Sequence, residues 1–320
     1  MLQVIPISRS AGRTATGAAA YRAGERLRDE RTGELYNYSR RRDVLYKEIV
    51  LPSGVAGSAP AWSLDRGQLW NEAERAETRR NARVAREFLL SIPHELTPDQ
   101  RIALTGALSR EIAERYGVVV DSALHAPRAG GDPRNFHAHL LATTREITAA
   151  GLGGKTGLDL GIHQRHERGL VNSIEEFRAL RARTAELVNE ALQAAHLLVR
   201  VDHRTLAAQG ISRDPQAHLP WGAWRDEQRG LYSEIAQRVR ERYRERVQAR
   251  AVDSHSAEPR SAEPRLGEGR DPVLQPGLED IRSRAREDWL RLRAAQGQAR
   301  GQDADLNRDL TKDRDDDLAL

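Results

Sequence analysis

Residues 124–141 constrain this chain more than any other stretch, because they put three imidazoles, His125, His137 and His139, into one apparent hairpin. Successive side chains on a β-strand point to opposite faces, so His137 and His139 share one face while Ala138 and Leu140 take the other. Residues 118–125 are rich in β-branched and apolar side chains, and the Pro- and Gly-containing segment 126–136 can turn the chain back so that His125 faces the pair. Three neutral imidazoles bind a divalent cation and leave coordination positions open, as a catalytic site requires and a closed structural site does not. A lone His-x-His is often only two surface or core histidines; the third imidazole favours a metal.

The rest of the composition narrows the setting. No Cys is present, which excludes a disulfide framework and any Cys-based zinc site and fits a reducing cytoplasm. No apolar run approaches the roughly 20 residues of a membrane span, and the N-terminus lacks an export signal, so the chain reads as cytoplasmic with no membrane insertion. The net charge of +4 is unevenly spread: residues 251–320 hold 12 basic and 16 acidic side chains, leaving 39 against 31 on residues 1–250. Nearly all the basic residues are Arg, whose planar fork suits phosphate, and a nucleic-acid partner follows as one reading of that charge. A high-Arg genome is the other.

Read in order, the chain alternates strands and helices. Residues 3–7 predict an edge strand, since Pro6 cannot donate to a ladder. Residues 14–28 read as a helix carrying Tyr21, with Arg9, Arg13 and Arg22 close in sequence. Residues 35–38 and 44–51 read as the two strands of a hairpin, 63–83 as a helix, and 86–92 as a buried strand in which Glu87 needs a partner. The box Thr97-Pro98-Asp99-Gln100 opens a helix closed by Gly117. Residues 149–156 form a Gly-rich loop that only partly matches a phosphate-binding pattern, because Ala149 replaces its first glycine. Ser173-Ile174-Glu175-Glu176 opens a helix to about residue 195, residues 199–204 are extended, and a charged helix runs from Trp224 past Val247. The fold class expected is α+β: an antiparallel β-sheet with flanking helices, then a helical segment and a disordered charged tail. The expected domains are 1–222, a basic amphipathic helix over 223–250, and 251–320, a linker with a tandem Ser-Ala-Glu-Pro-Arg repeat, a short helix over 278–300 and an acidic end.

A His-x-His metal site, a tyrosine on a helix and a basic surface combine into phosphodiester chemistry by a tyrosine nucleophile, but the residues alone do not select among seven tyrosines. A resemblance does. Ala18-Ala19-Ala20-Tyr21-Arg22-Ala23-Gly24-Glu25, Asp29-Glu30-Arg31-Thr32-Gly33-Glu34, Leu69-Trp70-Asn71, Ala85-Arg86-Glu87, Ile92-Pro93-His94-Glu95-Leu96-Thr97, His137-Ala138-His139, Leu187-Val188-Asn189 and Val201-Asp202-His203-Arg204 occur in the order found in the MobA/MobL (MobQ-class) mobilisation relaxases of the HUH endonuclease group. The chain resembles that family over residues 1–222. The resemblance implies a conjugative relaxase that nicks one strand at a plasmid origin of transfer, with Tyr21 joined to the 5′ phosphate. It implies that His125, His137 and His139 hold Mg²⁺ or Mn²⁺ and that Glu87 accepts the tyrosine proton or supports the metal cluster. A raised Glu87 pKa would suit the first of those roles.

Arg9, Arg13, Arg22 and Arg204 are the expected DNA contacts. The partners implied are single-stranded origin DNA, accessory mobilisation proteins and a type IV secretion coupling protein, with passage into the recipient on the DNA. Some relatives carry a second Glu where Leu89 stands, and the loop 126–136 is longer than the family's usual version. Asp202 and His203 point apart on an extended segment, and His94, His163 and His166 read as surface. Three rival functions remain: a rolling-circle replication initiator, whose tyrosine normally follows the His-x-His; a DNA-binding accessory protein with inert histidines; and a zinc hydrolase indifferent to Tyr21→Phe.

Overall fold

The computed structural model describes residues 2–212, 217 and 219–256. Its centre is a five-stranded antiparallel sheet in the order β1 (Leu2–Ser8), β5 (Arg83–Ser91), β7 (His137–Thr143), β6 (Val120–His125) and β4 (Val44–Val50). The histidine hairpin forms as the alternation requires: His125 stands opposite His137, and Ala123 opposite His139. β1 is an edge strand, where Pro6 is tolerated.

Strand alternation gives the sheet two unlike faces. On one, Phe88, Leu90, Leu124, Ala138 and Leu140 pack with α3 (Pro98–Tyr116) and α5 (Ser173–Ala194) through Leu104, Leu108, Ile112, Leu180 and Leu192. Each fully buried Leu there contributes about 1.5–3 kcal/mol of transfer free energy. On the other, Ile7, Val84, Ala85 and Leu141 meet α1 (Ala15–Ala23) and α2 (Arg66–Arg75) through Ala15, Ala19, Ala20, Leu69 and Trp70. The small Ala face of α1 lets that helix lie close to the sheet.

This second face also holds buried charge. Asp121 on β6 accepts from Arg66 and from Trp70 Nε1, the latter at 2.9 Å, and burial pushes its carboxyl up against their pull. Glu74 on α2 takes the Arg9 guanidinium at 2.7 Å and the backbone N–H of Ala15 at 2.7 Å, pinning the start of α1.

Several expectations need correction. The first helix stops at Ala23, because Gly24 adopts φ +60° and closes it, and residues 26–28 become β2 (Arg26–Arg28) paired with β3 (Leu35–Asn37). The expected hairpin of 35–38 with 44–51 does not form: β3 pairs back with β2, and β4 pairs with β6. α2 spans only ten residues. Residues 145–155 are a hairpin, β8 (Arg145–Thr148) with β9 (Gly151–Lys155), in place of a loop, and a single 3-10 turn, Gly157–Asp159, follows where a phosphate cradle needs an α-helix. A short helix α4 (Ile162–Glu167) precedes α5, whose cap is Asn172, accepting from Ile174 and Glu175, and not Ser173.

The chain divides into two compact units, Met1–Asp214 and Pro215 onward. In the second unit the expected single helix is two, α6 (Trp221–Gln228) and α7 (Glu234–Ser256), interrupted by Gly230 at φ +72° and joined by Arg240 to Glu227 at 2.6 Å. The short helix and acidic end expected beyond residue 256 lie outside the described residues. Among those described, no helix is long and apolar enough to cross a membrane.

Candidate metal centre and nucleophile

The three histidines converge on the α1 side of the sheet, with ring centroids 4.6–5.4 Å apart and one ligand nitrogen from each within 4.8 Å of the others. Each ring has its other nitrogen committed to an oxygen. His139 Nδ1 lies 2.6 Å from Glu87 Oε1, His137 Nδ1 lies 2.9 Å from the Asn135 carbonyl, and His125 Nε2 lies 2.7 Å from the Arg22 carbonyl. In each case the ring N–H must be the donor, since the oxygen only accepts. That leaves lone pairs on Nε2 of His137 and His139 and on Nδ1 of His125, where Arg41 Nη2 stands 3.4 Å away. Ligating histidines are oriented in this way, one nitrogen on the cation and the other on an oxygen acceptor.

Electrostatics agree with that tautomer assignment. Burial pulls His125 down to about 3, and the neighbouring His139 adds to it, so the ring is neutral near pH 7. Burial likewise lowers His139 despite the hydrogen bond from its ring to Glu87. Neutral imidazoles are what a cation needs. The donor set therefore fits a divalent metal.

Glu87 is buried on β5 between two partners, His139 and the Arg22 guanidinium, whose Nε donates to Oε1 at 2.7 Å. Burial pushes its carboxyl up, but the His139 hydrogen bond and the Arg22 charge outweigh burial and hold it well below the usual carboxylate range. The raised pKa that would suit a proton acceptor is absent. Arg86 is not its partner either, for Arg86 donates to Asp159 at 2.6 Å.

Tyr21 is one residue from this cluster. Arg22 touches the site twice, by its carbonyl at His125 and by its guanidinium at Glu87, so the last turn of α1 is held against the triad from both ends of one residue. Tyr21 is half-buried; its ring stands perpendicular to that of Tyr38, with centroids 5.2 Å apart, and Arg41 Cζ stands 4.0 Å from its centroid. Burial pulls the Arg41 guanidinium down, and Asp43 and Tyr21 outweigh it, so it stays charged. The sequence reading missed Tyr38, Arg41 and Asp43. Their only local signal is a basic run, Arg40-Arg41-Arg42, ending on an acid before a strand.

The four arginines expected to contact DNA fare differently. Arg9 and Arg22, expected to contact DNA, are here paired with buried carboxylates, Glu74 and Glu87. Arg13 is half-buried in the loop before α1. Arg204 is exposed and closes on Asp202 at 2.7 Å, in a segment whose Val201 backbone is clasped by Asn189 at 2.8 and 2.9 Å. His94 and His163 sit at the surface beside Glu95 and Glu167.

Comparison with known proteins identifies the family. A model of the MobA/MobL family matches residues 13–229, and the chain belongs to that family. Mobilization protein MobL of Acidithiobacillus ferridurans is 39% identical over 239 residues, covering 68% of this chain and 61% of its own length. A Bifidobacterium longum protein named "Probable mobilization protein MobA" is 32% identical over 269 residues, covering 75% and 46%. The chain thus spans about half the length of these curated relatives. A solved structure titled "Molecular Basis of Vancomycin Resistance Transfer in Staphylococcus aureus" superposes with TM-score 0.50 at 27% identity, covering 64% of this chain and 98% of that one.

Proposed function

We propose that this protein is a conjugative relaxase that nicks one DNA strand at a plasmid origin of transfer and later rejoins it. The observation that carries the reading is the double hold of Arg22 on His125 and Glu87, which brings the tyrosine-bearing helix turn to a three-imidazole cluster. The Tyr21 oxygen attacks phosphorus, the bond from phosphorus to the 3′ oxygen breaks, and a 5′-phosphotyrosyl link forms. Tyrosine gives up one proton and the leaving 3′ oxygen gains one, so the exchange is balanced and reversible. His125, His137 and His139 would hold a divalent cation, Mg²⁺ or Mn²⁺, which would supply Lewis-acid polarisation of the scissile phosphate.

Within this scheme His125, His137 and His139 are the ligands, and Glu87 supports the cluster by fixing the His139 tautomer, in place of taking the tyrosine proton. The nicking unit is assigned to residues 1–222, with 223–250 and 251–320 as appended segments. The DNA partner is single-stranded origin sequence. Accessory mobilisation proteins, a coupling protein and passage into the recipient belong to the same reading.

The test is covalent capture. The full chain is incubated with single-stranded oligonucleotides tiled across the DNA flanking its gene, with Mn²⁺ or with EDTA, and run on denaturing gels beside Tyr21→Phe. A metal-dependent protein–DNA band lost in Tyr21→Phe is expected. Metal-dependent cutting without an adduct would instead identify a hydrolase, and binding without cutting an accessory protein.

A further inference from the structure

The Tyr21 helix is tied to the histidines by a second route, through the loop between β3 and β4. Arg41 Nη1 donates to the Tyr21 carbonyl at 3.0 Å while the guanidinium carbon stands 4.0 Å from the centre of the Tyr21 ring. Its Nε donates to Asp43 Oδ1 at 2.9 Å, Nη2 donates to Asp43 Oδ2, and Nη2 also lies 3.4 Å from His125 Nδ1. Asp43 is itself fixed to the metal strand, since its carbonyl accepts from Ala126 N at 2.8 Å and the next residue, Val44, pairs with His125. The Tyr21 ring is thus in contact with both the Arg41 guanidinium and the perpendicular ring of Tyr38.

We propose that Arg41, braced by Asp43, is a positioning residue that fixes the Tyr21 phenol relative to His125. This rests on Tyr21 being the nucleophile. Only an arginine can do it in this frame: a planar fork meets the carboxylate with two donors and a carbonyl with a third while lying on an aromatic face, and a lysine ammonium cannot. Nε, Nη1 and Nη2 each donate within the protein, which favours positioning of Tyr21 over a phosphate clamp as the role of Arg41. Displacement of a reacting group by about 1 Å costs on the order of 10²-fold in rate, which sets the size of the effect.

Single-turnover adduct formation with the full chain, at saturating Mn²⁺ and tiled oligonucleotide, tests this in Arg41→Gln, Arg41→Lys and Asp43→Asn. Binding of the same oligonucleotide is measured separately with each change placed on Tyr21→Phe. Arg41→Gln should slow adduct formation by about 30- to 100-fold and Arg41→Lys by about tenfold, with DNA affinity within about twofold of the parent. Asp43→Asn should slow it less than Arg41→Gln does. An Arg41→Gln rate within twofold of the parent overturns the proposal, as does a rate loss matched by an equal loss of DNA affinity, which would make Arg41 a DNA contact. Thermal melts identify a variant that fails to fold; Arg41→Lys, which keeps the charge, then decides. If Tyr21→Phe still forms the adduct, the nucleophile reading itself has failed; if it is silent and Arg41→Gln matches the parent, only the role of Arg41 is lost.

Discussion

The two faces of the central sheet are made from the same strands and do opposite work. Along β7, Ala138 and Leu140 enter an apolar core under α3 and α5, while His137 and His139, one residue out of step, face α1. The first face contributes stability through buried area. The second is dense in polar groups, with Glu87, Arg22, Asp121, Arg66, Glu74 and Arg9 each satisfied by a partner. Buried charge of this kind adds little net stability compared with apolar packing but is costly to leave half-paired, so it suits a surface that must hold side chains in fixed positions. Both faces bury apolar side chains, and the second adds a charged frame that keeps a helix turn in place.

That division can be broken from either side. The largest effect expected is on the apolar face: Leu140→Ala should cost about 2–5 kcal/mol in urea melts while leaving Mn²⁺ affinity of the folded protein unchanged. A loss of metal binding in the folded variant would mean the faces are not independent. Arg9→Ala should cost about 3 kcal/mol by stranding Glu74, which keeps only Arg31 and the Ala15 N–H. DNA affinity at fixed salt should then hold steady, whereas a marked fall would restore Arg9 as a phosphate contact. Glu87→Gln comes next, with Mn²⁺ affinity reduced about 10- to 100-fold by calorimetry, since it loosens the orientation of His139.

A pH dependence tests the same face without DNA or metal. His125 is held down to about 3 in the folded chain against an ordinary value of 6.5, so its neutral form is favoured by folding. Its contribution is present above pH 6.5 and is lost as pH falls from there toward 3, because the unfolded chain takes the proton first. The slope is about 1.4 kcal/mol per pH unit for one group, and metal-free urea melts from pH 8 to pH 4 in His125→Ala and the parent should separate it. Equal slopes in the two would remove the buried neutral histidine from the account.

The faces were not equally legible in the sequence. The histidine hairpin was, because a period of two over 137–140 forces the segregation whatever else the chain does, and so was α3, with its capping box and terminal Gly117. The carboxylate at Glu87 was flagged as needing a partner, but which partner was hidden: Arg22 is 65 residues away and Arg86 adjacent, and only the packing of α1 on β5 decides between them. The same holds for Arg41, which reaches His125 across 84 residues from a run that looks like any solvated basic segment. Local patterns misled where a glycine ended an element early, at Gly24, and where strand 35–37 paired back with 26–28 while strand 44–50 took the distant 120–125.

The most direct measurement is to locate the covalent bond. The full chain is trapped on a cleaved oligonucleotide in Mn²⁺, digested with nuclease and protease, and the nucleotide-bearing peptide is sequenced by mass spectrometry. The account predicts a 5′-phosphonucleotide on Tyr21 and on no other tyrosine, absent when EDTA is present. A link at Tyr36, Tyr38 or any other side chain, or cleavage that leaves no peptide-bound nucleotide, would contradict it.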